Sequence, residues 1–195
     1  MWCYIIGAYL TLHYFIDTHY FVRLFVHCIC ARYFLAKKKF MESSSIYGIC
    51  MPTDVDMMLN HMNNSRYLRE FDFGRMEYGF RTGLMDTFIK KGGSFLVSGI
   101  TIRYRLSLKI FSMYKVVTTP VWWDDKFIYF DQRIVTLSDD IVRAVAFAKL
   151  ATKISMVEYI KEMYPEERRP DNPPADLMTW LESQEISRNN MKKES

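Results

Sequence analysis

Two strongly apolar stretches begin the chain, at residues 2–16 and 20–36, with Asp17 between them. A membrane-spanning helix needs about 20 consecutive apolar residues, and the second stretch also contains two arginines. Three lysines follow at residues 37–39, and positive charge tends to stay on the cytosolic side of a membrane. The pattern predicts that residues 1–40 form an uncleaved signal-anchor whose span is short or whose second half lies at the interface. The following domain would face the cytosol.

Two other interpretations of this segment stay open. A cleaved signal would give a secreted product, but no lysine or arginine precedes the apolar stretch, as such signals prefer. The segment could instead be a buried amphipathic helix of a soluble protein. The sequon Asn63-Asn64-Ser65 favours the cytosol, because a glycan at this position would disrupt the candidate site around it.

A strand and a long helix are predicted next. After a polar linker at residues 41–45, the apolar run at residues 46–51 predicts a strand that Pro52 ends. Helical spacing then starts near Asn63 or Asn64, either of which is a good N-cap. Steps of three and four place the following residues on one face: Tyr67, Leu68, Phe71, Gly74 and Tyr78. The glycine would let this face approach a sheet closely, and most charged residues fall off the face.

Alternating patterns dominate the second half of the domain. A short helical piece after Gly83 ends at Gly92-Gly93, and Pro120 predicts an edge strand or a bulge. Short turns between the predicted strands imply antiparallel neighbours. One long helix on an antiparallel sheet is an α+β layout, which we assign to residues 44–153. The four strands are predicted at residues 100–105, 113–123, 127–137 and 141–152.

The C-terminal tail is assigned to residues 154–195. It is predicted to contain a short helix, a Pro-rich connector and an amphipathic helix near residues 175–186. The last residues, 188–195, are predicted to be disordered.

Composition limits the chemistry. The chain has 195 residues, 50% of them hydrophobic, and a net charge of +4, which is too weak to indicate nucleic-acid binding. Only Cys50 of the four cysteines lies beyond the apolar N-terminus, so no disulfide framework is expected and a reducing compartment is favoured. His61 is the only histidine in that part of the sequence. The same part contains no His/Cys cluster with zinc spacing, no phosphate-binding loop motif and no nucleophile-elbow motif. Catalysis would depend on carboxylates, amides, backbone dipoles or His61, with no metal or separate cofactor.

The stretch from Asp54 to Asp72 has the residues for such chemistry. A loop with two carboxylates leads into a helix N-terminus, whose free N–H groups and dipole would polarise a thioester carbonyl. Asp54 or Asp56 could act as nucleophile or general base, and His61 and Asn63 could hold a water molecule or the carbonyl. Asp72 could reach the same cleft from the next turns of the helix. Each also has a structural interpretation, as a turn former, a cap or a solvated helix residue.

The run H-M-N-N-S-R-Y-L-R-E-F-D, residues 61–72, resembles the signature of hotdog-fold acyl-CoA thioesterases of the 4-hydroxybenzoyl-CoA thioesterase kind. That family shows an aspartate, then G-H-V-N-N, then Y-L and an acidic residue on the helix. The predicted element order also resembles the hotdog fold, an antiparallel sheet wrapped around one long helix. Within the family, the apolar N-terminus, the form of this motif and the W-W-D-D hairpin resemble the member-six group of the thioesterase superfamily. The resemblance covers roughly residues 44–185.

The resemblance implies site residues. Asp56 matches the catalytic aspartate best, His61 and Asn63 match the motif's histidine and first asparagine, and Asp72 matches the helix acid. There are two departures: Asn60 stands where the family has glycine, and Asp56 lies five residues before His61 instead of four. We also expect Asn64 and Tyr67 to bind substrate.

Two functions are expected. The first is hydrolysis of acyl-CoA thioesters at a membrane, the endoplasmic reticulum being the candidate. The phosphates of CoA would be held by Arg103, Arg105 and Lys109, although a charged strand face is the commoner explanation for these residues. The second is a catalytically inactive hotdog protein that binds acyl chains or protein partners in lipid homeostasis. The resemblance also implies a homodimer with each site shared between subunits.

Overall fold

A computed structural model describes residues 2–15, 17–56 and 60–194. The apolar N-terminus forms two helices, α1 (Trp2–Phe15) and α2 (Thr18–Ile29), and a π-helical turn (Cys30–Phe34). The chain changes direction at Asp17, whose carboxylate caps α2 by accepting from the Tyr20 N–H at 3.1 Å.

The predicted membrane-spanning anchor is not found in the described ranges, where no helix combines the length and the apolar character that a crossing requires. The helices α1 and α2 have 14 and 12 residues. At 1.5 Å per residue they measure about 21 and 18 Å, against about 30 Å for the hydrocarbon core of a bilayer.

The second half of the predicted anchor packs on the folded domain. The rings of Tyr20 and Phe73 stack at a centroid distance of 5.3 Å, and Arg23 pairs with Glu70. This packing explains why Glu70 and Glu77, expected off the buried face of the long helix, are both buried. The α2 helix and the π-helical turn cover the side of the long helix on which these carboxylates lie.

The domain has the predicted α+β layout. Five antiparallel strands form one sheet in the order β1-β5-β6-β7-β4, and the two-residue strands β2 and β3 form a separate hairpin. The long helix α3 packs on β1, β5 and β6. The elements after the π-helical turn are β1 (Ser44–Ile49), β2 (Val55–Asp56), β3 (His61–Met62), α3 (Asn64–Thr82), α4 (Leu84–Lys90), β4 (Phe95–Tyr104), β5 (Met113–Trp123), β6 (Phe127–Thr136), β7 (Val142–Thr152), α5 (Met156–Met163) and α6 (Ala175–Glu194).

The predicted inner face of α3 is confirmed except at Leu68, which is 36% exposed. Helix and sheet are closest at Gly74, where a Cβ atom would lie 2.6 Å from Thr118 Oγ1. Beside this contact the buried Gln132 amide donates to the Phe71 carbonyl at 2.9 Å and to Thr118 Oγ1 at 3.0 Å. The predicted irregularity at Pro120 is a bulge inside β5, between Pro120 and Trp122.

The end of the chain differs from the prediction. Instead of a disordered end at residues 188–195, α6 continues to Glu194. The segment from Ala175 onwards contains no glycine or proline, so nothing in it breaks a helix once it has started. The outer face of the sheet supports the helix: Leu177 is buried against Tyr129 and Phe147.

Candidate active site

The β2–β3 hairpin places Asp56 beside His61. The two residues are direct cross-strand partners, which puts their Cα atoms about 5 Å apart. Asn60, at the position of the family glycine, has a positive φ of 50° and donates its N–H to the Asp56 carbonyl at 3.0 Å. Asparagine tolerates this left-handed conformation better than most residues, so the hairpin closes without glycine. Both Asp56 and His61 are partly exposed.

The α3 N-terminus follows directly. Asn63 is the N-cap: its side-chain oxygen accepts from the Ser65 N–H at 3.0 Å, and its carbonyl accepts from the Arg66 N–H at 2.9 Å. These bonds use the second and third amides of the helix. Among the described contacts the Asn64 N–H has no acceptor, so it is the donor that remains for an incoming carbonyl. The Asn64 carbonyl accepts from the Tyr104 hydroxyl at 3.0 Å.

The second carboxylate of the loop has a structural role. Asp54 is buried, and its Oδ2 accepts from the Met51 N–H at 3.0 Å. Its other oxygen lies 4.0 Å from Arg66 Nε, and its carbonyl accepts from the Asn63 N–H at 2.8 Å. Asp54 therefore fastens the loop to α3, and Asp56 is the aspartate that the hairpin places beside His61.

Tyr67 supports the site from within the core. Its hydroxyl accepts from the Leu108 N–H at 3.3 Å, and its ring packs edge-on against Tyr104 at 5.2 Å. Burial raises the pKa of Tyr67. Leu108 in turn accepts from the Met62 N–H at 2.8 Å, which holds β3 in place. The expected substrate contact of Tyr67 is not accessible within one chain, because the side chain is buried.

Asp72 does not reach the same cleft within one chain. It lies eight residues after Asn64, or about 12 Å along α3. Its carboxylate is paired with Arg75, whose guanidinium also binds Gln132 Oε1. Asp72 and Arg75 line a cavity of about 350 Å³ between α3, α4 and the sheet. Burial lowers the pKa of Arg75, and the charge of Asp72 opposes this shift.

Arg103 and Arg105 lie at the other face of the sheet. Arg103 lines a cavity of about 470 Å³ under α6, together with Asp176 and Trp180. Arg105 donates to the Val142 carbonyl at 3.2 Å. Tyr104, between them, points toward α3, as the alternation of a strand requires. Neither arginine meets Asp56 within one chain.

Two residues near the candidate site, Tyr104 and Arg75, were not predicted from the sequence, although its periodicity places each on an apolar face. Tyr104 shares the alternating face of Ile100 and Ile102, so its position above the helix could have been inferred. Arg75 lies four residues after Phe71 and three before Tyr78, so it shares their buried face.

The chain belongs to the thioesterase-like superfamily, whose family model matches residues 50–181. Together with the fold, this establishes a hotdog domain of the thioesterase class.

Among its relatives is Protein THEM6 of Drosophila melanogaster, 39% identical over 179 residues that cover 91% of this chain and 92% of that one. Two solved structures share the fold. YbaW, a probable thioesterase from Escherichia coli, has a TM-score of 0.55 at 18% identity and covers 62% of this chain and 94% of that one. SAV2348 from Staphylococcus aureus, in complex with CoA, has a TM-score of 0.56 at 13% identity and covers 73% of this chain and 94% of that one.

Proposed function

We propose that the protein hydrolyses acyl-CoA thioesters at a site that two copies of the chain complete. The observation that carries this proposal is the Asn64 N–H at the start of α3, which has no acceptor among the described residues and lies next to the Asp56–His61 pair. An amide donor at the positive end of a helix dipole stabilises the oxygen on which negative charge develops during acyl transfer.

The reaction then needs one base and one donor. The thioester carbonyl oxygen accepts from the Asn64 N–H. Asp56 takes a proton from a water molecule as its oxygen attacks the carbonyl carbon, and His61 orients that water. The C–S bond breaks as the tetrahedral intermediate collapses, and the CoA thiolate receives the proton from Asp56. The products are a carboxylic acid and free CoA.

A second copy fits at the free edge of β4. In the described part of the chain β4 has a neighbour on one side only, and it exposes Leu96 (70%) and Val97 (42%). An exposed apolar edge is a template for pairing with another strand. Antiparallel pairing of β4 with its own copy sets residues 95–97 of one chain beside residues 103–105 of the other. The partner's Asn64, which is fixed by Tyr104, then approaches the cavity lined by Asp72.

This arrangement also gives roles to the remaining expected site residues. Asp72 would face the partner's Asp56 and help to place water or the carbonyl. Arg103 and Arg105 stay candidates for the phosphates of CoA, which would then have to reach the outer face of the same edge strand, opposite the cavity. The CoA complex of SAV2348 supports a CoA ligand for a protein of this fold.

One observation favours the second function, an inactive hotdog protein that binds acyl chains or partners. Asp56 lies five residues before His61, so its carboxylate need not occupy the position found in the family. A hotdog domain with this displacement would retain its apolar cavity and lose turnover.

We further propose that the protein works at a membrane, the endoplasmic reticulum, with the domain in the cytosol. Supporting this is the outer face of α2, on which Phe21, Val22, Phe25 and Val26 are exposed, followed by the lysines at 37–39. An apolar helix face with flanking lysines suits the surface of an anionic bilayer. Protease protection in intact microsomes tests the topology: a protected domain contradicts it and supports a lumenal or secreted protein.

The assay that tests the enzyme uses the full-length protein in detergent and a panel of acyl-CoAs. We expect turnover that Asp56→Ala lowers by at least about 100-fold, with the fold and the dimer intact. No turnover on any acyl-CoA by a folded dimer would rule out the hydrolase and leave the binding function.

A further inference from the structure

The cavity beside Asp72 lies between the domain and α2 and is partly open to solvent. Besides α3 and α4, its wall includes Tyr20 and Leu24 from α2 and Phe130 and Leu150 from the sheet. The charged pair of Asp72 and Arg75 lies at one end, where Asp72 is half-exposed. Toward the C-terminus of α3 the wall is formed by Tyr78 and Leu84, which are both buried. The cavity therefore deepens from a polar mouth into an apolar interior.

Apart from the Tyr20 hydroxyl, which lies near Asp72 so that burial and the Asp72 charge raise its pKa, the polar side chains of the described lining are already used. The Tyr78 hydroxyl donates to the Phe40 carbonyl, and Arg75 is bound by Asp72 and Gln132. A ligand hydroxyl placed in the deep end would lose its water and find no partner among these side chains, which costs free energy. The described interior thus disfavours hydroxyaryl acyl groups and favours a plain hydrocarbon.

Its dimensions select a chain length. From Asp72 to Gly79 the cavity follows seven residues of α3, or about 10 Å. Its volume of about 350 Å³ corresponds to about twelve groups of the size of a water molecule. Met76 and Met85 form part of the wall, and Met85 packs against Gly79, where a Cβ atom would lie 3.3 Å from Met85 Cβ. Unbranched methionine side chains adapt to a flexible chain better than to a rigid ring.

We infer that this cavity binds the hydrocarbon tail of a saturated, medium-chain acyl thioester of about eight to twelve carbons, with Met85 limiting its length. The inference rests on the proposed function for the thioester head group, which would lie at the mouth beside the partner's Asn64. The cavity itself is lined by residues of a single polypeptide, so binding of the hydrocarbon tail can be tested separately from hydrolysis.

The test separates binding from turnover. The full-length dimer is titrated calorimetrically with non-hydrolysable thioether analogues of acyl-CoA, with straight chains of roughly two to sixteen carbons and a hydroxybenzoyl analogue. We expect affinity to rise about threefold to fourfold per added methylene up to about ten carbons and then to level off. An affinity independent of chain length, or tightest for the hydroxybenzoyl analogue, would overturn the inference.

Two variants test where the acyl chain binds. Met85→Ala should move the plateau to chains longer by about two carbons, because it vacates the volume of three side-chain atoms. Met178→Ala, at an exposed methionine of α6, is the matched control and should leave the plateau unchanged. A plateau unmoved by Met85→Ala in a folded dimer would contradict the assigned site. A separate outcome is an affinity that depends on chain length as expected while none of the corresponding acyl-CoA thioesters is hydrolysed. That result would support the cavity as an acyl-chain site and contradict the hydrolase function.

Discussion

The guanidinium of Arg23 on α2 donates to both carboxylate oxygens of Glu70 on α3, at 2.5 and 2.6 Å. The Glu70 side chain is almost completely buried, at 4% exposure, and the Arg23 side chain is 21% exposed. Burial and the charge of Glu70 hold the pKa of the neighbouring Tyr114 well above its usual value. The pair thus fixes an N-terminal helix, which the sequence pattern assigned to a membrane, onto the centre of the domain.

Removing one partner of this pair should destabilise the domain strongly. Arg23→Met leaves Glu70 buried without its cation, and we expect a loss of about 2–4 kcal/mol in the free energy of unfolding. The double variant Arg23→Met/Glu70→Leu should recover most of it. Arg69→Met is the control: its partner Asp17 is 52% exposed, and the expected loss is below about 1 kcal/mol. Urea unfolding measures all three, and equal losses in the two single variants would contradict the role of the pair.

The two loop aspartates should respond differently. Asp54→Asn weakens the attachment of the loop to Met51 and Arg66, so we expect a stability loss of about 1–2 kcal/mol. Asp56→Asn, at a partly exposed residue, should cost less stability than Asp54→Asn and abolish turnover. Thermal melts and acyl-CoA hydrolysis on both variants provide the comparison. A stable, inactive Asp54 variant beside an active Asp56 variant would reverse the assignment.

Complementation tests whether two chains share a site. Asp56→Ala and Asp72→Asn homodimers should each be inactive, because every site lacks one group. When the two variants are co-expressed and pair at random, half of the dimers are mixed. Each mixed dimer has one intact site out of two, so we expect about one quarter of wild-type activity. A mixture that stays inactive although mixed dimers are detected by mass spectrometry would place both residues in the same chain's site.

Gly74 should be intolerant of any side chain. A Cβ atom there would lie 2.6 Å from the buried Thr118 Oγ1, so we expect Gly74→Ala to cost about 1–3 kcal/mol in unfolding free energy despite the better helix propensity of alanine. Gly79→Ala, on the same helix, meets Met85 at 3.3 Å and should change stability by less than about 1 kcal/mol. Chemical denaturation of the two variants measures the difference, and a neutral Gly74 variant would mean that helix and sheet separate easily.

Cys50 should be an unreactive thiol. Burial, together with the charges of Asp54 and Glu70, raises its pKa to about 11, so at pH 8 about one thiol in a thousand is ionised. In a chain whose other cysteines are replaced by serine, alkylation should be at least about 100-fold slower in the native than in the urea-unfolded state. Because the folded pKa is raised, the native rate should climb steadily from pH 8 to pH 10. A native rate close to the unfolded one would show that the loop around Cys50 opens readily.

Periodicity predicted the elements that depend on one buried face. The helix from Asn64, its contact at Gly74 and the bulge at Pro120 follow from spacing and from the conformational limits of glycine and proline. The α2 helix could not be placed in this way, because an apolar face bound to a domain has the same composition as one bound to lipid. Glu70 lay off the predicted buried face, and its burial could not be predicted because its partner Arg23 is 47 residues away in sequence.

The candidate site could be predicted in its local part only. Asp56, His61 and the N-cap Asn63 are close in sequence, and the hairpin before α3 brings them together. Asp72 was expected in the same cleft, but the rise of α3 places it about 12 Å from Asn64 along the helix. In the proposed dimer Asp72 meets the Asp56 of the second copy, and the sequence pattern of one chain contains no information about that contact.

The α6 helix occupies the outer face of the sheet, where Gln184 lies 2.8 Å from the position of a Cβ atom at Gly99. Back-to-back stacking of two sheets through this face would first have to displace twenty residues of helix. Growth beyond the proposed dimer would thus need another surface, and a fusion partner joined after α6 would emerge on the face of the sheet opposite the cavity lined by Asp72.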